Sequence, residues 1–165
     1  MRTPPSRSLL RSFLLPVLMI GLLPGAGPQN PNDDQADLLL KTAAQHEQAG
    51  EWLLAALAYE SSARLRSRSD SRRPAGFVAA ARSYYAGRYL EEAAGMSLEG
   101  GEAAVIQGDP MLAASSFGNA ASLYREIGKK SLAQALALRS CQALASSQIR
   151  RQDQVRLART LGCRA

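Results

Sequence analysis

The chain is poor in the residues from which most catalytic and cofactor sites are built. It has 165 residues, with one histidine, two cysteines and 5% aromatics. His46, the single histidine, cannot assemble a metal site, which needs about three or four ligands. A packing or half-exposed role is expected for it. Gly100-Gly101 is not a phosphate loop, because no Lys-Ser/Thr follows it and no strand precedes it. No serine sits in a nucleophile elbow. Glu91, Glu92, Glu99 and Glu102 cluster, but with no His or Cys beside them they read as a solvated helix face rather than an acid–base pair. β-branched residues are scarce, which leaves a sheet little to build on. These absences exclude the common enzyme classes, and no catalysis, metal or cofactor is expected.

Alanine, leucine, arginine and serine are abundant, and this usage favours helix. The formal net charge is +6, and half of it comes from Arg2, Arg7 and Arg11 near the N-terminus. These arginines precede an apolar run from Phe13 to Leu23, followed by the small residues Gly25, Ala26 and Gly27. A basic stretch, a short apolar stretch and a small-residue zone are the layout of a signal peptide, and about eleven residues is too short to span a membrane. Residues 1–28 are expected to be a leader that exports the chain to a periplasmic or extracellular space, and 29–33 a linker. An uncleaved N-terminal anchor is the alternative, and only then is a membrane a partner.

Residues 34–165 carry helical stripes. In the clearest stretch Asp109-Pro110 starts a helix, since Asp caps free N–H groups and Pro suits the first turn. Phe117, Ala120, Ala121 and Tyr124 then recur on one face, and Gly128 ends the helix. A second stripe follows with Leu132, Ala133, Leu136, Ala137, Ser140, Cys141 and Leu144. Neither stripe can be buried alone, so the two helices pair. Similar units are centred on Gly50, with Leu39, Thr42, Ala43 and His46 before it and Ala55, Tyr59 and Ser62 after it, and on Gly87, with Ala79, Ala80 and Ser83 before it. Gly95, Gly100 and Gly101 predict a kink or break in the fourth helix near Gly100. A last stripe of Val155, Leu157, Ala158 and Leu161 predicts a helix from about Arg151 that caps the stack.

The large–small–small–Tyr–Gly–small order at Phe117, Ala120, Ala121, Tyr124, Gly128, Ala133, Ala137 and Ser140 resembles a tetratricopeptide repeat. It departs at Ala137, where that family usually has an aromatic, and at Thr42, His46 and Glu92 in the other copies. The resemblance covers roughly residues 35 to 146, and the glycine spacings exceed the family period of about 34. It implies an all-α fold of about seven helices, in antiparallel hairpins stacked as a short right-handed solenoid. It also implies a concave groove along the first helices, here holding Phe77, Ala81, Tyr84, Tyr85, Ser122 and Arg125. The competing reading is that Phe77 and Tyr84 fill the core between hairpins.

Two basic groups stand out. Arg64, Arg66, Arg68, Arg72 and Arg73 form an exposed basic loop, and Arg150, Arg151, Arg156, Arg159 and Arg164 form a second group. Neither adds stacking aromatics or a reading motif, so nucleic acid is disfavoured. Cys141 and Cys163 are level only if the chain turns back between Ser147 and Gln152, and a disulfide then pins the last helix. A straight helix would part them by about 33 Å. The expected function is an exported adaptor or scaffold that binds a protein or peptide segment in its groove. A structural subunit of an envelope complex or homo-oligomer is one alternative, and a basic module for an anionic polymer or nucleic acid is the other.

Overall fold

The computed structural model describes residues 31–163. The leader, Gln29, Asn30 and Arg164 lie outside them. The described residues form α1 (Pro31–Gln48), α2 (Trp52–Leu65), α3 (Arg73–Ala86), α4 (Leu90–Ile106), α5 (Pro110–Glu126), α6 (Lys130–Ala145) and α7 (Arg151–Thr160), with no strand among them. Each helix through α6 packs chiefly on its neighbours in sequence, so the chain is a stack of antiparallel helices. The linker expected over 29–33 is shorter than that, because α1 already begins at Pro31 with Asp33 and Asp34 in its first turn.

The tight turns share one closure. The N–H of Glu51, Tyr89, Asp109 and Lys129 reaches back to the carbonyl of His46, Tyr84, Ala104 and Tyr124, at 2.8–2.9 Å. The residue before each donor has positive φ: Gly50, Arg88, Gly108 and Gly128. This is the left-handed helix stop that satisfies terminal carbonyls. The middle unit is therefore centred on Arg88, one residue beyond the expected Gly87, whose φ is −79°. Gly87 is required for a different reason: a Cβ there would lie 2.9 Å from the Tyr89 ring and 3.2 Å from Trp52 Cβ.

With that shift the hairpins align. Phe77, Ala80, Ala81 and Tyr84 stand before Arg88 as Phe117, Ala120, Ala121 and Tyr124 stand before Gly128. Ala55, Ala93 and Ala133 follow their turns at one common position, and each is buried. Ser62 Oγ donates to the Ala36 carbonyl and Ser140 Oγ to the Ala114 carbonyl, both at 2.7 Å and both across 26 residues. In the middle unit the same place is Gly100, whose added Cβ would lie 3.6 Å from the Pro74 carbonyl.

The core is built from alanines that let helices approach closely, with Tyr59, Phe77, Tyr84, Phe117, Tyr124, Leu136 and Leu144 filling the gaps. The break expected near Gly100 does not occur. Helix α4 runs unbroken, and Gly100 and Gly101 are buried in it. A Cβ on Gly101 would meet the Phe117 ring at 2.6 Å, so these glycines serve packing rather than interruption. Packing supplied by neighbours outweighs their low helix propensity.

Helix α7 covers the far end of the stack. It buries no residue completely and is held by the Cys141–Cys163 disulfide, with Cα atoms 5.6 Å apart. Gln154 Nε2 also donates to the Leu144 carbonyl at 3.1 Å. Leu161 packs on Gly118 of α5, where a Cβ would come within 2.6 Å of Leu161 Cδ2.

Candidate functional site

A concavity lies along the first helices of the second and third hairpins and has a volume of roughly 370 Å³. Helix α3 contributes Val78, Ala81, Arg82 and Tyr85, which share one face at helical spacing. Helix α5 contributes Ser116, Asn119, Ser122, Leu123 and Glu126 on its facing side, and Ser97 of α4 lies between them. Ala81, Ser97 and Ser116 are small and buried, which gives the cavity its depth. Tyr85 is 49% exposed and forms a wall. Ser116 is 2% exposed, and its Oγ has no hydrogen-bond partner among the described residues.

The hairpin register explains why these residues meet. The residue three before one turn stands beside the residue six before the next. Glu47 and Arg82 meet in this way at 3.4 Å, and Tyr85 and Ser122 occupy the same relation one hairpin later.

Of the groove residues expected from sequence, Ala81, Tyr85 and Ser122 line the cavity. Phe77 and Tyr84 do not. They are 1% and 4% exposed and belong to the core around α2–α4. Tyr84 Oη donates to Glu60 at 2.9 Å, and burial together with that carboxylate pushes its phenol far up. Arg125 is exposed but does not line the cavity. The missed residues are Val78, Arg82, Ser97, Ser116, Asn119, Leu123 and Glu126. On α3 the signal is the face period itself: with the register set by Arg88 instead of Gly87, the places given to Phe77, Ala81 and Tyr84 pass to Val78, Arg82 and Tyr85.

The basic loop is corrected in kind. Arg66 is 3% exposed, not solvated, and it pairs with Asp37 and with Asp70 (3.2 Å). Arg72 pairs with Asp70 at 2.8 Å and Asp37 at 3.2 Å. Arg64 pairs with Glu60 at 2.8 Å and Glu99 at 3.2 Å. Arg73 donates to the Arg66 carbonyl at 2.7 Å and lies over the Phe77 ring. Arg68 is exposed, and its carbonyl accepts from Gln107 at 2.6 Å. The cluster thus ties the α2–α3 loop to α1. The Arg72 hydrogen bond holds the Asp70 carboxyl down at about 2 against the opposing effect of burial. The Arg66 hydrogen bond lowers Asp37 in the same way.

Arg150, Arg151, Arg156 and Arg159 are exposed on and beside α7, and Arg150 lies 3.3 Å from Asp153. His46 is half-buried, with Nδ1 2.5 Å from Glu51. Glu91, Glu99 and Glu102 pair with Lys129, Arg64 and Arg139 respectively, and Glu92 is exposed. Among the described residues no group of His, Cys, Asp and Glu could hold a metal ion, and no helix is long and apolar enough to cross a membrane. No protein-family model, curated protein or solved structure matches the chain.

Proposed function

We propose that the chain is a tetratricopeptide-like adaptor that, once exported, holds a peptide segment of a partner protein in the groove between α3 and α5. The observation that carries this reading is the cavity itself. Its volume of roughly 370 Å³ falls in the range of ligand sites, about 300–1,000 Å³. It combines a floor of small residues, Ala81, Ser97 and Ser116, with an exposed tyrosine and the hydrogen-bonding side chains Asn119 and Ser122. Aromatic and arginine side chains dominate protein interfaces, and Tyr85 and Arg82 stand at its rim. Nothing in the cavity pairs a nucleophile with a base, so the reading is binding without chemistry.

The test is capture from envelope extract by the intact chain and by Tyr85→Ala and Ser122→Arg. Both positions are exposed, so both variants should fold as the parent does. Loss of the same captured protein in both supports the groove. Unchanged capture in both overturns it.

A second reading, a structural subunit, is favoured by the α2 surface. Trp52, Leu53, Leu54 and Leu57 are each 37–48% exposed there. The places after Arg88 that match Leu53, Leu54 and Leu57 hold Glu91, Glu92 and Gly95. Light scattering on the purified chain separates the two, since a subunit self-associates and an adaptor remains monomeric at micromolar concentration.

A further inference from the structure

The two basic groups of the sequence meet different fates in the fold. Residues 31–149 hold twelve Lys and Arg against thirteen Asp and Glu, a net charge of −1. Residues 150–163 hold four Arg against one Asp, a net charge of +3. The net positive charge of the described residues therefore stands wholly on α7 and the arginine before it. Arg64, Arg66 and Arg72 are engaged by Glu60, Glu99, Asp37 and Asp70. Beside α7, Arg150 meets Asp153 at 3.3 Å. Arg151, Arg156 and Arg159 are exposed and pair with no carboxylate of the described residues.

These three arginines share the outward side of the helix. At 3.6 residues per turn, Arg151, Val155, Arg159 and Arg156 point about 0°, 40°, 80° and 140° around the axis. Leu157 and Leu161 point the other way, at about 240° and 280°, and Leu161 packs on Gly118 of the stack. The arginines also span about 12 Å of axis, eight residues at 1.5 Å each. No residue of α7 is buried, so this face stands proud of the stack, and the Cys141–Cys163 bond holds it there.

The shape of the face selects among anions. Single-stranded nucleic acid is held by stacking aromatics as well as charge, and no aromatic residue follows Tyr124. An acidic polypeptide needs desolvated pockets beside the charges it meets, and α7 gives no residue to the concavity between α3 and α5. A lipid surface needs neither feature. Its headgroups move sideways, so phosphates can gather under guanidinium groups fanned around a helix. The long arginine stems also let Val155, 45% exposed among them, reach the headgroup boundary. We infer that α7 is a docking face for anionic phospholipid headgroups, which holds the far end of the stack against a membrane surface chiefly by charge. This belongs to the folded chain, whatever the fate of residues 1–28, and does not rest on the groove reading above.

Co-sedimentation of the full chain with vesicles tests this. Vesicles of phosphatidylcholine mixed with phosphatidylglycerol should capture it better than phosphatidylcholine alone, which measures what the apolar run Phe13–Leu23 contributes. Each basic residue at an anionic surface is worth about five-fold in partitioning, so Arg151→Gln, Arg156→Gln and Arg159→Gln together should weaken capture on the order of 100-fold. All three are exposed, so thermal unfolding should match that of the parent. A control triple, Lys41→Gln, Arg68→Gln and Lys130→Gln, removes the same charge from exposed places on the stack and should cost less than about five-fold. Salt at about 1 M, where the screening length is about 3 Å, should erase the preference for the mixed vesicles. Equal losses in the two triples would reduce the effect to net charge and overturn the inference. Equal capture by the two kinds of vesicle at low salt overturns it as well. Binding to soluble polyphosphate that needs the α7 arginines, without such binding to vesicles, assigns the face to a polymer and overturns the lipid partner.

Discussion

Ser140 of α6 donates its hydroxyl proton to the Ala114 carbonyl of α5 at 2.7 Å, inside a site that excludes solvent. Ser62 makes the same bond to Ala36 two hairpins earlier. The bond locks the lower ends of a hairpin together where both helices are too close for a larger side chain. Ser140→Ala should cost about 1 kcal/mol, the net worth of one hydrogen bond. In urea the midpoint should fall with the slope unchanged. An unchanged midpoint would show that the carbonyl is adequately satisfied by its own helix.

Arg88 is the non-glycine residue held at positive φ, 69°, in a place where the other hairpin turns carry glycine. A left-handed conformation costs an L-residue about 1–2 kcal/mol. Arg88→Gly should therefore stabilise the fold by up to about 1 kcal/mol, after the greater chain entropy of glycine is subtracted. A thermal melt decides it, and a lower melting temperature would contradict the strain argument.

Two glycines of α4 should respond oppositely to the same substitution. An added Cβ on Gly95 meets nothing within 4 Å, so Gly95→Ala should gain close to the helix propensity difference, about 1 kcal/mol. An added Cβ on Gly101 comes within 2.6 Å of two Phe117 ring atoms, and Gly101→Ala should lose about 1–3 kcal/mol to overpacking. Equilibrium unfolding of the pair tests both at once, and a gain at both positions would refute the packing assignment.

The loop charges predict an acid limb. The Asp70 carboxyl is held at about 2, below its ordinary 3.8. A lowered carboxyl binds fewer protons folded than unfolded. Its stabilisation is complete above about pH 4 and is lost as pH falls from there toward 2. The side chain is 12% exposed, and the effect should be on the order of 1–2 kcal/mol. Asp70→Asn should flatten the unfolding profile over that window. A profile that keeps its full slope would place the acid sensitivity elsewhere.

Helix α7 should detach without the rest of the fold. It has no buried residue and depends on the Cys141–Cys163 bond and on Leu161. In Cys141→Ser, amide exchange over 151–160 should approach that of an open chain, while the amides around Tyr124 and Leu136 keep their protection. Simultaneous loss in both regions would make α7 part of the cooperative core.

Much of the helical order was legible because its signals are local. Asp109-Pro110 announces α5, and Asp109 Oδ1 accepts from the Leu112 N–H at 2.9 Å. Gly50 and Gly128 announce their turns. Arg88 sends no such signal, since arginine is not a turn residue, and the glycine beside it drew the register one residue off. That single slip put Phe77 and Tyr84 where Val78 and Tyr85 stand, whereas Asn119 and Glu126 escaped because the concavity takes in a wider face of α5 than the positions read from Gly128. The glycines of α4 were misleading because composition cannot separate a helix breaker from a close contact. Arg66 was illegible for another reason: its partner Asp37 is 29 residues away, and only the folded stack makes a buried cation tolerable.

The ion pairs along the second helices carry opposite polarity at successive joints. Arg64 of α2 faces Glu99 of α4, and Glu102 of α4 faces Arg139 of α6 at the equivalent places. Were α2 to skip α4 and lie directly on α6, Arg64 would face Arg139, two cations at a joint built for a pair. Near-identical hairpins are otherwise free to exchange places or swap between molecules. The alternating signs make the order of the hairpins a property of their surfaces, not merely of the peptide bonds that connect them.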